Sequence, residues 1–125
     1  MVNYNGVVLL SDAIKISPSN RAFNYGDAVF ETVKILNGKV IFWEEHYFRL
    51  MASMRMIRMR IPIEFTLEFL QEEILKIVAV QEISGSLRVR LTIFRKDGGF
   101  YTPKTNEVGY LITVDEFEYQ AKEIY

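Results

Sequence analysis

Arg49 is the residue of this chain whose chemistry is best suited to holding a phosphate group. It lies in the sequence His-Tyr-Phe-Arg-Leu at residues 46–50, and helical spacing would place His46, Arg49 and Ser53 on one face. A guanidinium is a planar fork that holds a phosphate through two parallel charge-assisted hydrogen bonds. By residue type alone, the commoner alternative is a solvated helix arginine without a ligand.

His46 is the only histidine, and the chain contains no cysteine. Metal sites built from several histidines, thiolate metal sites, disulfides and cysteine nucleophiles are therefore excluded, and no metal is predicted. Because His46 lies one helical turn from Arg49, we expect it to support that arginine by packing or hydrogen bonding rather than to act as a catalyst.

Tyr25, Gly26 and Phe30 form a second group with the chemistry of a small-molecule pocket. Gly26 allows the backbone to turn or to approach a ligand closely. The Tyr25 hydroxyl could reach a carboxylate or a cofactor, and Phe30 could supply an apolar wall. The alternative is that Phe23, Tyr25 and Phe30 are aromatic residues of the core.

Arg88 and Arg90 lie in a segment, residues 87–94, in which apolar and other side chains alternate strictly. The alternation predicts a strand with both arginines on one face. Burying two arginines in a hydrophobic interior would be very costly, so this face is expected to meet solvent, a partner or an anionic ligand.

Three other patterns are interpreted as surface features. The basic segment at residues 55–60 interleaves arginine with methionine, a poor stacking platform, and the net charge of the chain is −1, so nucleic-acid binding is not predicted. Gly98-Gly99 matches no phosphate-loop or dinucleotide fingerprint. The paired Glu72 and Glu73 are expected to be solvated charges.

A sheet and two helices are needed to position these side chains. The hairpin signals Asn5-Gly6 and Asn37-Gly38 each separate two apolar segments. Apolar residues at helical spacing predict one helix over residues 44–57 and a second that follows an N-cap at Thr66. Strands are predicted at residues 28–36, 39–42, 87–94 and 108–117, with a shorter hairpin within residues 3–16. This order predicts an α+β fold, an antiparallel sheet with two helices packed on one face.

The composition is that of one ordinary globular domain. The chain has 125 residues, of which 50% are hydrophobic and 25% charged, and we predict a domain over residues 1–117 and the start of a linker at 118–125. The sequence contains no apolar segment long enough to cross a membrane and no secretory signal pattern. No membrane association is predicted, and the expected location is the cytoplasm.

The order of these blocks resembles that of a known enzyme family. Tyr-Gly-Asp-Ala-Val-Phe-Glu-Thr at residues 25–32, a hairpin, and then Glu-His-x-x-Arg-Leu at residues 45–50 are similar to the N-terminal small domain of the class IV (fold type IV) pyridoxal-phosphate aminotransferases. That family includes branched-chain and D-amino-acid aminotransferases and aminodeoxychorismate lyase. The resemblance implies the D-amino-acid aminotransferase-like fold.

The resemblance also implies roles for particular side chains. Arg49 would bind the phosphate of pyridoxal phosphate, and Tyr25 and Phe30 would line the substrate pocket. Arg90 would help to position a substrate carboxylate. The D-amino-acid enzymes have a tyrosine at the position of Phe30, which points away from D-specificity. Branched-chain enzymes have a tyrosine at the position of Arg88, so a dicarboxylate or aminodeoxychorismate is also admitted as substrate.

The implied reaction is the transfer of an amino group between an amino acid, with a branched-chain-like L-amino acid favoured, and a 2-oxo acid. In this family the lysine that bonds the cofactor lies in a second domain, and no lysine of this chain matches it. No catalytic residue is therefore assigned, and the chain alone is expected to be inactive and not to bind the cofactor. A homodimer or higher self-association is expected. The alternatives are a lyase on the same scaffold and a non-catalytic interaction domain.

Overall fold

The computed structural model of the protein describes residues 1–81 and 85–116. The linker predicted at 118–125 and the domain end predicted at 117 lie outside these residues. The described strands are β1 (Val2–Tyr4), β2 (Val7–Leu9), β3 (Ala28–Leu36), β4 (Lys39–Val40), β5 (Leu87–Arg95) and β6 (Val108–Glu116). The described helices are α1 (Arg21–Tyr25), α2 (Trp43–Met56) and α3 (Leu67–Ala79), and a 3-10 turn spans Ser11–Ala13.

The described strands form one antiparallel sheet in the spatial order β2-β1-β6-β5-β3-β4. β5 is paired along its length with β3 on one side and β6 on the other, so that Arg90 lies opposite Thr32 and Thr113. The predicted α+β class, with an antiparallel sheet and two main helices, is therefore confirmed.

Both predicted Asn-Gly hairpins are present. Asn5 and Gly6 have φ of 53° and 90°, and Asn37 and Gly38 have φ of 51° and 74°. Two successive positive φ values are typical of the type I′ turn, whose twist matches that of the flanking strands. β4 ends at Val40, two residues earlier than predicted, because the chain turns there into α2.

The two longer helices cover one face of the sheet. Residues of β5 alternate between the two faces: Leu87, Val89, Leu91 and Ile93 are buried, and Arg88 is exposed. The strand residues on the inner face pack against the apolar sides of both helices. The helix residues in this core include Leu50, Met51 and Met54 of α2 and Leu70, Ile74 and Ile77 of α3.

Polar contacts fix α2 against the start of α3. The predicted N-cap Thr66 accepts a hydrogen bond from the Phe69 amide at 3.0 Å. The indole of Trp43 donates to the Leu67 carbonyl at 2.8 Å, and the hydroxyl of Tyr47 donates to the chain just before the cap. Each side chain buries an aromatic ring while its polar end is satisfied by backbone.

The prediction that Glu73 is solvated is wrong. Its carboxylate is buried and accepts hydrogen bonds from the Asn3 amide at 3.0 Å and the Tyr110 hydroxyl at 3.2 Å, and it pairs with Lys76 at 2.6 Å. Burial and the Glu73 charge raise the pKa of Tyr110 above its ordinary value. Helical spacing turns Glu73 towards β1 and β6, whereas Glu72 is exposed.

Helix α1 was not predicted from the sequence, because five residues are too few to show an apolar period. The side chain of Asn20 caps it by accepting from the Phe23 amide at 3.2 Å. Gly26 ends it in the left-handed conformation, with φ of 61°. A Cβ at Gly26 would meet no atom within 4 Å, so the turn, and not a close approach, explains the glycine in this structure.

Two features are absent from the residues that the structure describes. No described helix has the length and apolar character required to cross a membrane. Residues 1–81 and 85–116 also contain no group of three or more histidine, aspartate or glutamate side chains able to hold a metal ion.

Candidate functional site

Glu31 is the centre of the polar cluster around Arg49. It lies on the helix-facing side of β3, with 7% of its side chain exposed. Its carboxylate accepts hydrogen bonds from Arg49 Nε at 3.0 and 3.1 Å and from Arg49 Nη2 at 2.7 Å. His46 Nδ1 lies 2.7 Å from the same carboxylate. We assign the proton to Nδ1, because an ionised carboxylate only accepts.

The charges of this cluster are coupled. Burial alone would raise the pKa of Glu31, but the hydrogen bonds and charges of Arg49 and His46 more than offset it, so the pKa lies below the ordinary value of 4.5. Glu31 in turn raises the pKa of Arg49. Glu31 is therefore ionised at neutral pH, and it fixes the orientation of both helix side chains.

The arrangement leaves one edge of the Arg49 guanidinium open. Glu31 occupies the edge formed by Nε and Nη2, while Nη1 donates to none of the described residues and 63% of the side chain is exposed. The Nη1 side can therefore present donors to a phosphate while Glu31 holds the other edge. The structure brings His46 and Arg49 together as predicted, and it adds Glu31.

Phe30 and Arg90 form a second group on the opposite, open face of the sheet. The Arg90 guanidinium carbon lies 3.8 Å from the centre of the Phe30 ring, within the range of a cation–π contact. Phe30 is 51% exposed, which makes the interpretation as a core residue wrong. Arg88 lies on the same face, exposed and next to Asp115 across the β5–β6 ladder. These residues are open to a ligand or partner.

Tyr25 belongs to neither group. It is 39% exposed at the end of α1, and its ring contacts the Arg21 guanidinium at 4.6 Å and the Tyr101 ring at 6.0 Å. No contact joins Tyr25 to Arg49 or Phe30 within the described residues. Sequence proximity to Phe30 therefore did not place the two aromatic rings in one wall.

A buried charge cluster behind Tyr25 was missed from the sequence. Asp27 accepts from Arg21 Nε and from Arg95 Nε, each at 2.8 Å, and both arginines are almost fully buried. Arg95 also donates to the Asn106 amide oxygen at 2.7 Å and to the Ile57 carbonyl. The cluster joins the end of β5 to the start of β3 and the end of α2.

Tyr25, Tyr101 and the cluster line an open cleft of about 800 Å³. Arg58, which follows the end of α2, also lines it. The cleft is large enough for a small organic molecule. It contains none of the side chains of the Glu31 cluster.

A sequence signal for the missed residues exists. Glu31, Val33 and Ile35 share the inward positions of β3, and Arg95 continues the inward series of β5. A charged residue at an inward position of an alternating strand requires a partner. The partner itself could not be identified, since Arg49 is 18 positions from Glu31 and Arg95 is 68 positions from Asp27.

Comparisons with known proteins agree with this architecture. Residues 28–125 match the family described as Amino-transferase class IV. A D-alanine aminotransferase of Listeria monocytogenes serotype 1/2a (strain 10403S) is 35% identical over 89 residues, which are 70% of this chain and 30% of the relative. A D-alanine aminotransferase of Staphylococcus aureus (strain N315) is 27% identical over 103 residues, which are 80% of this chain and 36% of the relative. The chain thus spans about a third of the length of these relatives.

Solved structures share the fold. A branched-chain amino acid aminotransferase of the organism abbreviated T.th., with pyridoxamine 5'-phosphate, superposes with a TM-score of 0.83 at 22% identity, covering 96% of this chain and 40% of that one. The branched-chain aminotransferase of the archaeon Thermoproteus uzoniensis with norvaline gives 0.81 at 22% identity, covering 94% and 40%. The fold predicted from the residues is that of the N-terminal domain of these enzymes, and with the family match over residues 28–125 this chain belongs to the class IV aminotransferase family.

Proposed function

We propose that this chain forms the phosphate-anchoring domain of a pyridoxal-phosphate-dependent aminotransferase, which transfers an amino group between an amino acid and a 2-oxo acid. The observation that carries the proposal is the guanidinium of Arg49, held on one edge by Glu31 and open on the other. One enzyme of the same fold was solved with pyridoxamine 5'-phosphate. The free edge of Arg49 suits the phosphate of such a cofactor.

The residues of the cluster divide the task of binding. Arg49 would hold the phosphate through its Nη1 side, and Glu31 and His46 would keep the guanidinium in position. When bound, pyridoxal phosphate supplies the electron sink that makes the α-carbon of an amino acid reactive. Lysines that could bond the cofactor are not assigned in this chain, so we propose that residues 1–125 alone have no aminotransferase activity.

The open face of the sheet would supply the substrate side of the site. Arg90 offers a cation to a substrate carboxylate, and Phe30 offers an apolar wall beside it. Arg88 would add a second cation on this face for a substrate with an additional carboxylate. We propose Tyr25 as a contributor to a site only through the separate surface on which it lies, with Gly26 fixing its turn.

Two substrate classes have specific support. Phe30 favours a branched-chain-like L-amino acid, on the resemblance of the motif at residues 25–32. The 35% identity to a Listeria D-alanine aminotransferase favours a D-amino acid. Aminodeoxychorismate lyase activity and a non-catalytic role remain the alternatives. Self-association into a homodimer and a cytoplasmic location remain predictions.

The test is an activity panel on the complete protein encoded by the reading frame that contains this chain. The protein is assayed with L-leucine, L-valine and D-alanine as donors and 2-oxoglutarate as acceptor, and separately with aminodeoxychorismate. We expect transfer from the L-donors to exceed transfer from D-alanine. Release of p-aminobenzoate without an acceptor would identify the lyase, and inactivity in every assay with cofactor added would reject the catalytic proposal.

A further inference from the structure

The cleft beside Tyr25 carries a surplus of positive charge. Its lining includes three arginines, Arg21, Arg58 and Arg95, and a single carboxylate, Asp27. Charges that line a concave surface act together on a ligand more strongly than isolated surface charges do. The chemistry of the cleft therefore favours an anion.

Two of the three arginines are buried with only one carboxylate between them. Arg21 and Arg95 each donate to Asp27 at 2.8 Å. Arg21 also donates to the carbonyls of Gly98 and Phe100. A carbonyl satisfies an N–H group but does not neutralise its charge, so one positive charge remains uncompensated among the lining side chains. A buried uncompensated charge attracts a counter-ion.

Arg58 supplies the accessible cation. It follows the end of α2 with φ of 59°, a left-handed conformation that costs a non-glycine residue about 1 kcal/mol or more. Its amide donates to the Arg55 carbonyl at 3.0 Å, while its exposed guanidinium makes no hydrogen bond or ion pair with another side chain of the described residues. The strained turn places a cation without a partner at the wall of the cleft.

We propose that this cleft binds an oxyanion, the carboxylate or phosphate of a small molecule, with Arg58 as its principal ligand. The guanidinium of Arg58 presents the planar donors that match either group. Neutral donors lie in the same lining, including the hydroxyl of Thr102 and the amide of Asn24. The volume of about 800 Å³ admits the organic part of such a molecule.

The test is a titration of the ¹⁵N-labelled chain, followed by NMR, with inorganic phosphate and with malonate at constant ionic strength set by sodium chloride. We expect saturable shifts of the amides around Arg58 and Tyr101 with at least one of the two anions. The tighter of the two identifies the preferred group. Shifts that grow linearly without saturation for both anions would overturn the proposal.

Variants at one position separate binding from folding. Arg58→Gln should weaken binding about tenfold or more, because it removes the charge-assisted hydrogen bonds, and Arg58→Lys should weaken it less. Arg58→Gly removes the cation but adopts the left-handed turn without strain, so the folded protein should still lose binding. The matched control Arg55→Gln, an exposed arginine on the last turn of α2, should change the affinity by less than about twofold.

The outcomes also separate this cleft from the proposed cofactor anchor. Arg49→Lys should leave binding of phosphate and malonate unchanged here, whatever its effect on a cofactor. Loss of the saturable shifts in Arg49→Lys, or their persistence in both Arg58→Gly and Arg58→Gln, would contradict the assignment to the cleft.

Discussion

At the scale of single residues, Glu31 determines what Arg49 can bind. The carboxylate takes two donors of the guanidinium and offsets its charge. A phosphate that meets Arg49 therefore meets a nearly neutral pair, and its binding depends on the direction of the remaining N–H groups more than on net charge. Geometry, fixed by a buried acceptor, is the property that Glu31 contributes.

The pairing also makes stability depend on pH. The folded-state pKa of Glu31 lies below the ordinary value of 4.5, so its contribution to stability is fully present above that value and is lost as the pH falls through the lowered pKa. We expect Glu31→Gln to reduce the free energy of unfolding at pH 7 by about 1–2 kcal/mol, and the difference from wild type to shrink at about pH 3.

Urea unfolding at the two pH values measures this difference. The matched control Glu72→Gln changes an exposed glutamate of α3 and should alter stability by less than about 0.5 kcal/mol at either pH. A Glu31→Gln deficit that is equally large under both conditions would show that the charge of Glu31 is not the cause.

Single residues were predictable where chemistry and position coincide. Arg49 could be recognised because a fork-shaped cation stands in a helix beside an apolar stripe, and Arg90 because alternation assigns it to the polar face of a strand. Glu31 could not be paired with Arg49, since the contact depends on how α2 lies across β3. Tyr25 was grouped with Phe30 by sequence distance, and the turn at Gly26 separates them.

At the scale of elements, buried charges tie strand ends to helix ends. Arg95 contacts Asp27, Asn106 and the Ile57 carbonyl and so connects β5 with three neighbouring segments. Arg95→Met should lower the free energy of unfolding by about 2–4 kcal/mol, because the partners lose charged hydrogen bonds in a buried site. Arg88→Met, on the exposed face of the same strand, should change it by less than about 0.5 kcal/mol. Equal effects in urea unfolding would contradict the assignment.

Gly109 lets β6 pack closely against β5 and the first hairpin. A Cβ there would lie 2.7 Å from Phe94 Cζ and 2.7 Å from Asn5 Oδ1. We expect Gly109→Ala to lower the free energy of unfolding by about 1–3 kcal/mol through overpacking. Phe94→Leu in the same chain should recover part of that loss, because a smaller side chain removes one of the two clashes. Additive losses in thermal unfolding of the double variant would exclude this cause.

The long elements were predictable and the short ones were not. Strands β3, β5 and β6, with nine residues each, show a clear period of two, and α2 and α3 show helical stripes. Helix α1 has no period to detect, and β4 was predicted too long because Ile41 and Phe42 continue an apolar run. Phe42 instead precedes α2 with φ of 55°, a backbone state that no sequence pattern signals.

At the scale of the whole molecule, the face of the sheet opposite the helices is uncovered. Phe30 is exposed there beside Arg90, and the family resemblance implies that members associate. We expect the chain to self-associate through this face, since exposed apolar patches favour association. In sedimentation velocity, Phe30→Ser should shift the protein towards monomer, whereas Phe48→Ser, at an exposed site of α2, should not. A strict monomer at high concentration would contradict the expectation.

The central claim, that Arg49 anchors a cofactor phosphate, requires a variant that spares the fold. Arg49→Ala would leave the buried carboxylate of Glu31 short of its main partner, so that lost affinity and lost stability could not be separated. Arg49→Lys keeps a cation beside Glu31 but lacks the second donor edge of a guanidinium. Arg55→Lys, on the same helix, is the matched control.

The measurement is the dissociation constant for pyridoxal phosphate, determined by absorbance titration of the complete protein encoded by the reading frame that contains this chain. Arg49→Lys should raise it about tenfold or more while the melting temperature stays close to that of wild type, and Arg55→Lys should change it by less than about twofold. An Arg49→Lys protein that binds pyridoxal phosphate as tightly as wild type would contradict the assignment of Arg49 as the phosphate anchor.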